Sequence, residues 1–105
     1  MRWILAVLLA IPCPARSADG EYALVIRDHR FEPALLQIPA GRKVRLTIDN
    51  QDPTAEEFES HALNREKVVP GRSRVPLFVG PLAPGRYPFF GEFNQETAQG
   101  AIVAQ

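Results

Sequence analysis

Between Lys43 and Asn50 the chain alternates without a fault: Val44, Leu46 and Ile48 are apolar, while Arg45, Thr47 and Asp49 are polar. A period of two over this length specifies a strand with one face buried and one in water. The same pattern recurs in short pieces. Glu21–Arg27 carries Tyr22, Leu24 and Ile26 on one face and Ala23 and Val25 on the other, which reads as burial on both faces. Leu35–Ile38, Arg74–Val79 and Ala101–Ala104 read as further strands, Arg65–Val69 as extended, Pro84-Gly85 as a turn into Arg86–Phe90, and Gly91–Gln99 as an irregular loop. Turn residues punctuate the series at Asp28-His29-Arg30, Pro39-Ala40-Gly41, Pro70-Gly71 and Pro84-Gly85. No window carries a helical period. Strands repeating every 8–12 residues or so predict an all-β sandwich of about 7–8 strands.

The first residues follow a different logic. Met1-Arg2 is a short basic start, Trp3–Ile11 is unbroken apolar sequence, and Pro12-Cys13-Pro14 leads to Ala15-Arg16-Ser17. This is the layout of a secretory signal peptide, with cleavage expected after Ser17. The expected organisation is therefore a signal peptide over 1–17 and one domain over 18–105. The apolar run falls short of the roughly 20 residues that span a bilayer, so no membrane insertion of the mature chain is expected. Pro12 argues against lipidation of Cys13, because that position normally holds a small residue. Cleavage removes the single cysteine, and with it any disulfide or thiolate chemistry. It also leaves ten basic against twelve acidic residues, with no basic block, so nucleic acid is not an expected partner.

The chemistry concentrates in Glu56–Lys67, where four carboxylates and one imidazole fall within twelve residues. In an extended segment Glu57 and Glu59 project to one face, about 7 Å apart, and Phe58 to the other. Paired carboxylates raise each other's pKa unless a cation neutralises them. Either that face is fully solvated or something positive belongs there. Each glutamate taken alone reads as a solvated surface residue, and Glu56 is assigned to that class. Glu66, between Arg65 and Lys67, also reads as a member of a surface ion pair. No nucleophile elbow or Ser/His/Asp spacing supports a hydrolase.

Several phrases resemble a known family: Phe31-Glu32-Pro33, Ile38-Pro39-Ala40-Gly41, Leu46-Thr47-Ile48-Asp49-Asn50, and Leu82-Ala83-Pro84-Gly85-Arg86-Tyr87 followed by Phe90-Gly91. Together they resemble the cupredoxin fold, a Greek-key β-sandwich. Within it the chain is most similar to the cupredoxin-like components of bacterial periplasmic iron-uptake systems, which work beside an inner-membrane iron permease. The resemblance implies a periplasmic location, and that permease with other uptake components as partners. Type 1 copper needs histidines, a cysteine and usually a methionine. Here the C-terminal loop reads Phe90-Gly91-Glu92-Phe93-Asn94-Gln95, and no such site is expected. Related lipoprotein domains carry cysteines where Phe31 and Phe90 stand, whereas their acidic positions match Glu57, Glu59 and Glu66. Closer relatives place a histidine at the position of Asn94.

The expected metal ligands are thus Glu57, Glu59, Glu66 and Glu92, with His61 as the nearest imidazole and His29 and Glu32 as outer candidates. Oxygen-rich sites with imidazole suit iron, manganese, zinc or copper(II). The implied function is binding of Fe2+, with assistance to its oxidation and transfer to the permease. The alternatives are an interaction module without a metal of its own and a copper(II)-binding protein.

Overall fold

The computed structural model describes residues 21–105. The expected signal peptide, its cleavage point and Cys13 lie outside the described residues. Nine strands follow in order: β1 Glu21–Arg27, β2 Arg30–Glu32, β3 Leu35–Ile38, β4 Val44–Asn50, β5 Glu56–Ser60, β6 Arg65–Val69, β7 Ser73–Val79, β8 Gly85–Gly91 and β9 Gln99–Ala104. A single 3-10 turn, Glu92–Asn94, interrupts them. The count exceeds the expected seven or eight because Arg30–Glu32 turns back on β1 as a strand of its own.

The strands form two sheets, β2-β1-β4-β7 and β3-β9-β8-β5-β6. β1 runs parallel to β4 and β3 parallel to β9, and the remaining pairs are antiparallel. Alternation decides what fills the space between them. Val44, Leu46 and Ile48 of β4 face Leu36, Ile38, Phe58, Phe89 and Ile102 of the other sheet in one continuous core. Phe31 meets both Phe58 and Phe89 edge to face, at 4.9 Å and 89° to Phe89, while Phe58 and Phe89 lie tilted at 31° to each other. β1 departs from the sequence expectation: Leu24 and Ile26 are buried, but Ala23 is exposed and Val25 only half-buried. Apolar residues on both faces do not guarantee two buried faces, because each sheet of a two-layer sandwich keeps one side in water.

Two turns fix the ends that matter below. Asp28 and His29 both take positive φ, 52° and 56°, and close the β1–β2 hairpin in two residues. The buried Asp52 carboxylate accepts both of their amide hydrogens, at 2.8 and 3.0 Å. At the other turn, Asn64 takes φ 53° and its amide donates to the His61 carbonyl. The Ser60 hydroxyl is buried there, accepting from the Leu63 amide and donating to the Pro88 carbonyl. That turn sends β6 back along β5 in a fixed register. Among the described residues no helix is long and apolar enough to cross a membrane.

Candidate metal centre

β5 places its residues strictly by parity. Phe58 is fully buried in the core, while Glu57 and Glu59 stand half-buried on the outer face of the five-stranded sheet. The tight turn after Ser60 sets Glu66 directly opposite Glu59. One carboxylate oxygen from each of Glu57, Glu59 and Glu66 then lies within 4.8 Å of the others. Like charges facing each other across a strand pair are destabilising, and among the described residues no lysine or arginine relieves them. The arginines that form ion pairs do so elsewhere: Arg27 with Glu32, Arg45 with Glu21 and Arg74 with Asp49. Arg65, beside Glu66, instead donates to the carbonyls of Phe78 and Asn64. Among the described residues, no lysine or arginine pairs with any of the three carboxylates. The surface-pair reading of Glu66 therefore gains nothing from the fold.

Glu59 registers the crowding. Its carboxyl is pushed above 4.5, first by loss of solvent, then by a hydrogen bond shared with Glu57, then by the charge and hydrogen bonding of Glu66. His61 sits at the rim, 82% exposed, with Nδ1 4.0 Å from Glu59 Oε1 and its ring 5.6 Å from that of Phe90. It is the imidazole that can join the cluster. Three oxygens with a neighbouring imidazole, and no lysine or arginine partner among the described residues, are a donor set for a hard or intermediate divalent cation.

The other candidates stand apart. Glu92 is exposed on the 3-10 turn and does not join the three converging carboxylates. Glu32 is exposed and paired with Arg27 at 3.2 Å. His29 sits at the tip of the β1–β2 hairpin, with Nδ1 3.6 Å from Asp52 Oδ2 and its carbonyl accepting from the Thr97 hydroxyl.

Glu56 is a correction. Assigned to the surface from sequence, it is 1% exposed and lies in the core wall. Oε1 accepts the amide hydrogens of Glu57 and Phe93, both at 2.9 Å, and Oε2 accepts Asn94 Nδ2–H at 2.7 Å. The signal was present: the period that puts Glu57 and Glu59 on one face puts Glu56 on the other, with Phe58 and Ser60. Asn94, where the resemblance puts a histidine in closer relatives, spends its amide on this carboxylate.

The comparisons agree with this architecture. A family model described as "Cupredoxin-like domain" matches residues 1–104. Over 92 residues the chain is 47% identical to an uncharacterized protein of Rickettsia prowazekii (strain Madrid E), covering 86% of this chain and 74% of that one. Among solved structures it resembles auracyanin A, a "blue" copper protein from Chloroflexus aurantiacus. That match has a TM-score of 0.70 and 13% identity, covering 81% of this chain and 98% of that one. It also resembles a purple cupredoxin from Nitrosopumilus maritimus, at TM-score 0.62 and 17% identity over 79% and 98% of the two chains. Amicyanin from Paracoccus versutus gives 0.65 and 12% over 86% and 85%. A type 1 copper ion does not fit the described residues, which hold no cysteine or methionine. The only cysteine and methionine of the sequence, Cys13 and Met1, precede the described residues, and the positions at which the resemblance puts cysteines in related lipoprotein domains hold Phe31, packed in the core, and Phe90.

Proposed function

The chain belongs to the cupredoxin-like domain family, and from that premise we propose that it is a periplasmic metal-binding protein of ferrous-iron uptake. It binds Fe2+ at Glu57, Glu59 and Glu66, with His61 at the rim, and passes the ion to an inner-membrane permease. The observation that carries this reading is the convergence of three carboxylates on one outer sheet face, with no lysine or arginine among the described residues paired to them. Carboxylates are hard anions and favour Fe3+ over Fe2+, so binding eases oxidation of the ion. Oxidation to Fe3+ would release one electron to an external one-electron acceptor such as dioxygen or a copper(II) centre.

The test is an anaerobic Fe2+ titration of the wild type against the double variant Glu57→Gln/Glu59→Gln. A loss of affinity of tenfold or more supports the site, and equal affinity sinks it. Copper(II) as cargo draws support from the copper protein named among the fold relatives and from the imidazole beside Glu59. Running Cu2+ in the same titration separates the two ions. The interaction-module reading draws on the exposed Val68 and Phe93, 51% and 54% accessible. It predicts no thermal stabilisation by Fe2+, Mn2+ or Cu2+, whereas a hundredfold excess over Kd should add about 2.7 kcal/mol if a metal binds.

A further inference from the structure

We infer that Glu56 is the positioning residue of the carboxylate cluster: its buried side chain replaces the missing end of the β5–β8 ladder and holds the ligand strand against the turn Glu92–Asn94. β8 pairs with β5 only through Phe58↔Gly91 and Glu59↔Phe90. On its other side β5 stays paired with β6 back to Glu56↔Val69. Glu56 and Glu57 therefore have a β6 neighbour and no β8 neighbour. At a sheet interior that would strand backbone donors away from water, which native structures avoid.

Glu56 answers with its own carboxylate. The Glu57 amide donates back to Oε1 rather than to a β8 carbonyl, and the Phe93 amide, just past the end of β8, donates to the same oxygen. Asn94 Nδ2 donates to Oε2. An ionised carboxylate is an acceptor only, and it can take all three. The fit is close: a Cβ on Gly91 would stand 2.6 Å from Glu56 Cδ and 2.8 Å from Oε2. One buried group thus grips the backbone of Glu57 and the first residues after β8 together. The geometry stands alone; its consequence for metal binding rests on the function proposed above. Partners that orient ligand residues commonly change metal affinity by about 10–100-fold when removed.

The experiment uses Glu56→Ala, with Glu56→Gln as the conservative variant. It reads hydrogen exchange at the Glu57 and Phe93 amides and Mn2+ affinity on the same folded samples. Glu56→Ala is expected to speed exchange at both amides and to weaken Mn2+ binding, each by about tenfold or more. Glu56→Gln keeps one acceptor oxygen for the two amides, and its own amide meets Asn94 after that side chain flips. It should stay within about threefold of wild type. Should Glu56→Ala not fold, Glu56→Asp, one methylene shorter, is held to the same expectation. Unchanged protection, or lost protection with unchanged Mn2+ affinity, overturns the positioning role. Absence of Mn2+ binding in the wild type itself sinks the metal reading, and exchange alone then decides whether Glu56 grips the two segments.

Discussion

Gly91→Ala is the sharpest structural perturbation available. Gly91 has ordinary extended dihedrals, φ −94° and ψ 114°, so a methyl group there meets no backbone penalty. What it meets is matter. Its Cβ would lie 2.6 Å from Glu56 Cδ, 2.7 Å from Ala98 Cβ and 2.8 Å from Glu56 Oε2, well inside the contact distance of about 3.5–4.0 Å. Ala98 is fully buried, and its amide and carbonyl are bonded to Asn94 and Gly91. The Glu56 carboxylate is pinned by three donors. Neither neighbour can yield without breaking hydrogen bonds, so the cost belongs at the upper part of the overpacking range, about 2–3 kcal/mol. For a domain of this size that lowers the thermal midpoint by roughly 8–24 °C. Urea unfolding gives the free energy, with the slope m expected to stay constant while the midpoint falls. Combining Gly91→Ala with Glu56→Ala removes part of the clash. The double variant should be more stable than the sum of the singles by about 1 kcal/mol or more. A loss below about 0.5 kcal/mol for Gly91→Ala, or strict additivity, would show that the Glu56 carboxylate does not fill this space.

Other outcomes follow from the same geometry. Glu59 has a folded pKa above its ordinary 4.5, so the folded state binds the proton more tightly than the unfolded chain. Its contribution to stability is complete below 4.5 and is lost as pH rises through the folded value. Urea midpoints of metal-free wild type should therefore fall relative to Glu59→Gln as pH rises from about 4 to 7, and parallel curves would contradict the crowding. Ser60→Ala strips partners from the Leu63 amide and Pro88 carbonyl. It should cost about 1–3 kcal/mol in urea unfolding and weaken metal binding by loosening the register of Glu66 against Glu59. Asp52→Ala unpairs the Asp28 and His29 amides. It should cost a similar amount, about 1–3 kcal/mol, yet leave Mn2+ affinity unchanged, because its partners lie in the β1–β2 turn and not in the cluster.

Much of the fold was legible because period-two alternation and turn residues are local signals. Val44–Asn50 and Arg65–Val69 form the strands that their patterns announce, and the Glu57/Glu59 face with Glu66 opposite follows from strand parity and one short turn. What escaped was decided by partners distant in sequence. Ala23 and Val25 look buried until the second layer is known to cover only one side of β1. Glu56 looks like surface because a lone carboxylate is seldom buried. The Phe93 amide and Asn94 side chain, donors from the far end of the chain, join the Glu57 amide in satisfying it there. Glu92, Glu32 and His29 stand apart from the three carboxylates on the outer face of the five-stranded sheet, because Glu92 lies on the 3-10 turn and the other two lie at the β1–β2 hairpin.

The most direct test of the central claim is to locate a bound ion. In two-dimensional NMR, substoichiometric Mn2+ should broaden the amides of Glu57, Glu59 and Glu66 first, with His61 and Phe90 next, and the same spectrum of Glu57→Gln/Glu59→Gln should stay sharp. Broadening centred instead on His29 and Asp52, or spread evenly over the surface carboxylates, would contradict a site on this face.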